Sequence, residues 1–177
     1  VSHSWHESMM RLMVYDLMTE QRILDTNGPF MIRCDSGGLV EARNLAVKRF
    51  LDETPHEWLW LIDTDMGFDP YTVEQLIAAA DPARRPVVGA LCFGLRLVHP
   101  DGMGGARVLP VPTLFQMART PEGHVGFGTR WRYPADTVVQ VAATGSGCLL
   151  IHRGALEKVR VEHGDRWFDQ VRYEDGR

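Results

Sequence analysis

Two carboxylates at the end of an apolar run are the residues of this chain best placed to do chemistry. They are Asp63 and Asp65, in Leu59-Trp60-Leu61-Ile62-Asp63-Thr64-Asp65-Met66. Spaced i, i+2, they point the same way from extended backbone. Held together they repel each other unless a cation sits between them. A hard divalent ion with oxygen ligands, Mg2+ or Mn2+, suits such a pair, and these ions commonly share a ligand's phosphates with the protein. The plainer alternative is that both residues cap the turn into the next helix. Asp69, standing before Pro70, already has the place of an N-cap, so two further aspartates are surplus to that job.

The elements that must position this pair follow from the hydrophobic pattern. Trp58–Ile62 is a short continuous apolar run and reads as a buried strand of a parallel sheet, its carboxyl end being where open α/β sheets bind ligands. Ser4-Trp5-His6-Glu7 reads as a capping box with Ser4 as N-cap, opening a helix with Trp5, Met9, Leu12, Met13 and Leu17 at helical spacing. Phe30-Met31-Ile32 reads as a strand ending near Cys34, followed by turn chemistry in Asp35-Ser36-Gly37-Gly38. A second helix carries Val40, Val47, Phe50 and Leu51 on one face, and a third, after Asp69-Pro70, turns Val73, Leu76 and Ile77 inward. Pro86–Cys92 reads as another buried strand, and 94–112, rich in Gly and Pro, as a loop. Strands are expected near Thr113–Met117, Val125–Trp131, Val138–Ala142 and Gly147–Ile151, and a short helix over Ala155–Val159. The pattern predicts an α/β sheet with helices on both faces and a more antiparallel second half.

Composition sets the outer limits. The 177 residues are 45% apolar and 24% charged, as in an ordinary globular domain, with a formal net charge of −4. No basic block stands out, which argues against a nucleic-acid binder that grips phosphates with Lys and Arg alone. A phosphate-bearing ligand held through a metal ion is not excluded by that balance. No apolar run approaches the roughly 18 residues that span a bilayer, and the polar start VSHSWHESMM does not read as a signal peptide. Cys34, Cys92 and Cys148 lie far apart in apolar stretches and read as buried thiols of a reducing compartment, so a cytoplasmic location is expected. The chain opens on Val1 and ends on RYEDGR, and both ends look cut from something longer.

Four stretches, in order, carry a resemblance: Glu41-Ala42-Arg43-Asn44, Leu59–Pro70 with its DxD, Pro86–Ala90, and Thr144–Ile151 followed by a short helix and Trp167-Phe168. Together they resemble glycosyltransferases of the GT-A fold, close to glycosyltransferase family 2 and its phage and bacterial relatives, over roughly residues 5 to 170. The resemblance implies a Rossmann-like, mostly parallel sheet in a single domain. Residues 1–92 would be the nucleotide-sugar and metal half and 93–177 the acceptor half. It implies transfer, with inversion, of a sugar from a nucleotide-sugar such as a UDP-sugar to a saccharide or protein hydroxyl. The cofactor would be Mn2+ or Mg2+, with Asp65 ligating the metal that bridges the diphosphate and Asp63 nearer the ribose and sugar. Arg43 and Asn44 would be donor-side contacts, although Arg43 paired with Asp35 or Asp63 is an equal structural reading. Gly145, Ser146 and Gly147 would line the floor where sugar and acceptor meet, or merely turn the chain between strands.

Two parts of that family's pattern are missing. Its first strand, which contacts the nucleotide base, would precede this chain. Its catalytic base, an Asp in a Glu-Asp pair after the Trp-Phe region, is represented only by Asp175 in Glu174-Asp175 or by Asp169 directly after Phe168, and a solvated charge run is the alternative for both. His152 and His163 read as structural or solvated, Phe127 as core, Trp131 as core or sugar-stacking, and the Gly-rich stretch around Gly102, Gly104 and Gly105 as a loop able to close over the donor. Two rivals stand beside the transferase. A haloacid-dehalogenase-type phosphohydrolase would place Asp-x-Asp on its first strand and want Thr or Val where Gly67 stands. A catalytically silent binding module of a larger assembly would need neither metal nor donor.

Overall fold

The computed structural model describes residues 2–19, 21–23, 38–98, 106–119 and 123–169. The strand expected at Phe30–Ile32, Cys34, the Asp35-Ser36-Gly37 turn, Gly102, Gly104, Gly105, Glu174 and Asp175 lie outside the described residues. The order of elements is α1 (His3–Met18), α2 (Leu39–Glu53), β1 (Trp58–Ile62), α3 (Thr72–Ala79), β2 (Val87–Gly89), β3 (Phe93–Val98), β4 (Arg107–Pro112), β5 (Leu114–Arg119), β6 (Val125–Thr129), β7 (Ala143–Thr144), β8 (Cys148–His152) and α4 (Arg153–His163).

The mostly parallel, Rossmann-like sheet of the GT-A type is not what forms. The strands make three small sheets, β1-β8-β2, β3-β4 and β6-β5-β7. In the first, β8 lies between β1 and β2, the two apolar strands expected in a mostly parallel sheet. His152 N–H donates to Pro86 O and Ala90 N–H to Cys148 O, while Arg153 N–H donates to Glu57 O, so β8 runs antiparallel to both neighbours. The other two sheets are antiparallel throughout. An apolar run of five residues reports burial, not the direction of the partner strand, and that is where the expectation fails. β2 is also only three residues long, with Val87 exposed.

Other boundaries shift for local reasons. The N-cap of α1 is Ser2, whose Oγ accepts from Trp5 N–H at 3.1 Å, two residues before the expected Ser4. Leu12 is buried on that helix, but Leu17 faces solvent. Tyr71, not Asp69, is the N-cap of α3, and it makes no side-chain cap. The Asp69 carboxylate instead sits by the Tyr71 phenol, holding its proton more firmly than usual by charge repulsion and then by a hydrogen bond. The 94–112 stretch is an antiparallel pair, β3 with β4, on either side of 99–105. Its Pro110 and Pro112 are tolerated because β4 is an edge strand. Val138–Ala142 is not a strand; the pairing with β5 falls one step later, in β7.

The chain divides into two compact units, Val1–Val88 with Leu150–Arg177, and Gly89–Leu149. The core of the first holds Leu12, Val47, Phe50, Leu59, Val73, Leu76, Leu150, Ile151 and Leu156. Arg153 ties its two sequence-distant parts. Its guanidinium donates to the carbonyls of Phe50, Leu51, Thr54 and His56 at 2.6–3.1 Å. It also lies 4.7 Å from the Phe50 ring centroid. A cation there satisfies the acceptors that a helix leaves at its C-terminal end. In the second unit the buried apolar residues are Cys92, Val111, Leu114, Cys148 and Leu149. Cys92 and Cys148 are thus buried thiols, as expected.

Candidate functional site

The site is built from α2, the end of β1 and the segment after α4, all in the first unit. β1 stops at Ile62, and the next residues turn at once: Met66 N–H donates to Asp63 O at 3.1 Å. Thr64 and Asp65 occupy the middle of that turn, so the alternation expected to point both carboxylates the same way does not reach them. Asp63 keeps 37% of its side-chain surface and faces the protein, while Asp65 is exposed.

The turn is held from α1. Ser2 N–H donates to Thr64 O at 2.7 Å, and Phe68 N–H donates to Ser8 Oγ at 2.9 Å. Ser8 is buried, so its hydroxyl answers a backbone donor that burial would otherwise leave unpaired. A side chain at Gly67 would meet Ser4 Cβ at 3.4 Å, an ordinary contact, so that position is closely approached but not closed. Trp60 and Phe68 meet edge to face at 5.3 Å.

Arg43 and Asn44 do different work. Arg43 is 9% exposed, and its Nη2 donates to Asp63 Oδ1 at 2.8 Å. Its guanidinium also lies 5.6 Å from the Phe168 ring centroid. The structural reading of Arg43 as a partner of Asp63 is therefore realised. Asn44 is spent on backbone: Oδ1 accepts from Trp167 N–H at 3.0 Å and Phe168 N–H at 2.9 Å, and Nδ2 donates to Phe168 O at 2.9 Å. These three bonds join residues more than 120 positions apart and fix the segment that carries Asp169.

Around this clamp runs a set of exposed ion pairs. Lys48 reaches Asp52 and Asp165, and Arg160 reaches the same two carboxylates, at 2.7–3.0 Å. Hydrogen bonds from Arg160 and then Lys48 hold the Asp52 carboxyl down, from 3.8 to about 2. Asp165 is lowered as well, first by its bond from Lys48. Trp167 Nε1–H donates to Leu156 O at 2.8 Å.

The structure therefore brings Arg43, Asn44 and Asp63 together with the backbone leading into Asp169, an exposed residue. Asp175 lies outside the described residues. Gly145, Ser146 and Gly147 belong to the second unit, between β7 and β8. Gly145 N–H donates to Thr113 O at 2.8 Å, and a Cβ there would stand 2.6 Å from Thr113 Cβ and Oγ1. The glycine is thus required by the neighbouring chain. His152 is structural: it is the N-cap of α4, its Nδ1 accepting from Gly154 N–H at 3.1 Å. His163, in the last turn of α4, is exposed. Phe127, expected in the core, is exposed, as is Trp131.

Among the described residues no group of three His, Cys, Asp or Glu side chains could hold a metal. The donor set at the turn is one exposed carboxylate, Asp65, and one already paired, Asp63. That suits a divalent ion completing its shell from water and a ligand's phosphates, not one caged by protein alone. Sequence reasoning missed Ser2 and Ser8, which hold the turn, and the backbone role of Asn44. Only the identity of Asn44 beside Arg43 offered a signal. No helix among the described residues is long and apolar enough to cross a membrane. No protein-family model, no curated protein and no solved structure matches the chain.

Proposed function

We propose that the protein is a divalent-metal-dependent glycosyltransferase that moves a sugar from a nucleotide-sugar, a UDP-sugar by preference, to an acceptor hydroxyl. The observation that carries this reading is the Asp63–Met66 turn at the end of β1. Buried Arg43 engages Asp63 there, and Asp65 is left exposed. Asp65 would hold Mn2+ or Mg2+ together with the donor's diphosphate. The ion, when bound, supplies Lewis-acid neutralisation of charge on the departing nucleoside diphosphate. Arg43 holds the Asp63 carboxylate in place by its ion pair, and Asp63 would lie on the ribose and sugar side. In the transfer, the acceptor oxygen bonds to the anomeric carbon, the bond from that carbon to the diphosphate oxygen breaks, and the hydroxyl proton passes to a carboxylate. Asp169, on the segment that Asn44 clamps, is the candidate for that base within the described residues, and Asp175 is the second.

The test is release of nucleoside diphosphate from UDP-sugars in the presence of Mn2+. Metal-dependent release by the wild type, falling on the order of a hundredfold or more in Asp65→Ala, supports the proposal. Hydrolysis of simple phosphomonoesters with no donor cleavage would replace it with a phosphohydrolase. Failure to bind either nucleotide or metal would leave a silent binding module and overturn it as well.

A further inference from the structure

The second unit carries a surface that the proposed chemistry does not use. β3 and β4 pair in the register Phe93↔Pro112, Leu95↔Pro110 and Leu97↔Val108. Alternation puts these six side chains on one face, and none of them is polar. The pair is rooted at one end, where Val111 and Pro112 are buried. Away from that end the face opens: Leu95 is 76% exposed and Leu97 61%, with Val108 exposed opposite. The next register positions bring charge of one sign, Arg96 opposite Leu109 and Arg107 opposite Val98, both arginines exposed. The same combination recurs in the neighbouring sheet, where exposed Met117 faces exposed Phe127 and Arg119 faces exposed Val125.

Charge favours one kind of partner. Residues 89–149 hold five arginines and three carboxylates, a net +2 within a chain of net −4. A wholly apolar face of this extent, next to arginines and without carboxylates in the paired strands, is a liability in water. Two strands alone gain little stability from such a face. Extension of the ladder by a second copy is disfavoured on β4, since Pro110 and Pro112 remove two donors from that strand. We propose that the β3–β4 pair is a docking surface for an anionic lipid bilayer. Its apolar face enters the boundary between headgroups and acyl chains, and Arg96 and Arg107 lie at the level of the lipid phosphates. Long arginine side chains on the far face of a thin two-stranded sheet reach that level by extending past its edge. The inference is independent of the transferase reading, because it concerns where the protein sits and not what it turns over.

Vesicle flotation of the full chain tests it, with vesicles of phosphatidylcholine and phosphatidylglycerol compared with phosphatidylcholine alone. The expected result is binding to the anionic vesicles that weakens with salt. The Leu95→Asp/Leu97→Asp variant should lose it. The Arg96→Gln/Arg107→Gln variant should partition on the order of thirtyfold less, with unchanged binding to neutral vesicles. All four positions are exposed, so the circular dichroism of both variants should match the wild type. No flotation with anionic vesicles overturns the proposal. So does equal binding to neutral vesicles. A wild type that elutes as a dimer, becomes monomeric in Leu95→Asp/Leu97→Asp and ignores vesicles would identify the partner as a second copy and overturn it too.

Discussion

The segment 165–168 and the β3–β4 pair are both short, and they are fixed in opposite ways. The first has no regular secondary structure, and its position comes from distant side chains: Asn44 grips its backbone, and Lys48 and Arg160 hold Asp165. The second is placed by its own ladder, and away from its rooted end the side chains on one face touch little. One region stores its order in polar bonds across the sequence, the other in local pairing. Substitution should therefore be costly in the first and nearly silent for stability in the second.

The widest contrast is between two leucines in strands. Leu150, 2% exposed in the middle strand of β1-β8-β2, should cost about 2 to 5 kcal/mol as Leu150→Ala, because transfer energy and a cavity are both lost. Leu95→Ala, on the open face of β3, should stay within about 0.5 kcal/mol. Urea unfolding of the two variants measures the difference, and comparable losses would break the comparison. Next comes Asn44→Ala, which leaves two backbone N–H groups and one carbonyl of residues 167–168 without partners. It should cost about 2 to 3 kcal/mol by the same measurement, with Asn44→Asp, which keeps both acceptor bonds, retaining part of that. An unchanged midpoint for Asn44→Ala would show that the segment is held without its clamp.

The smallest effect belongs to the exposed ion pairs. Asp52 titrates at about 2 against its ordinary 3.8, so its contribution to stability is present above the ordinary value and fades as pH falls through about 2. An NMR titration of the Asp52 carboxyl should place its midpoint near 2, and Arg160→Gln should return it toward 3.8. A midpoint that does not move would mean that Lys48 alone sustains the shift.

What the sequence disclosed was local. Apolar spacing located α2, β1, β8 and the inward face of α3, because burial of one stripe or run is written in neighbouring residues. The insertion of β8 between β1 and β2 was not legible, since pairing direction depends on a strand about 60 residues away. At the candidate site Asp63 was visible by its place at a strand end, and the pairing with Arg43 was one of the readings left open. The turn that separates Asp65 from it was not, because nothing in Asp-Thr-Asp marks where extension stops. The backbone role of Asn44 was not legible in the sequence: its amide bonds the backbone of Trp167 and Phe168, which no spacing rule connects to it. The 94–112 stretch was misread because Gly and Pro outweighed the alternation of Phe93, Leu95 and Leu97, which edge strands tolerate.

Arg153 and Asn44 have a consequence for how the chain is made. The first unit is discontinuous, interrupted by residues 89–149, so a ribosome must deliver the entire interruption before the end of α2 can meet the guanidinium that caps it. Until then α2 carries its C-terminal carbonyls to water. The entropy lost in closing that loop grows only with the logarithm of its length, about 0.6 kcal/mol per doubling. Lengthening the 89–149 unit at one of its exposed turns therefore adds little to the cost of closing the loop, while the residues that close it tolerate little change.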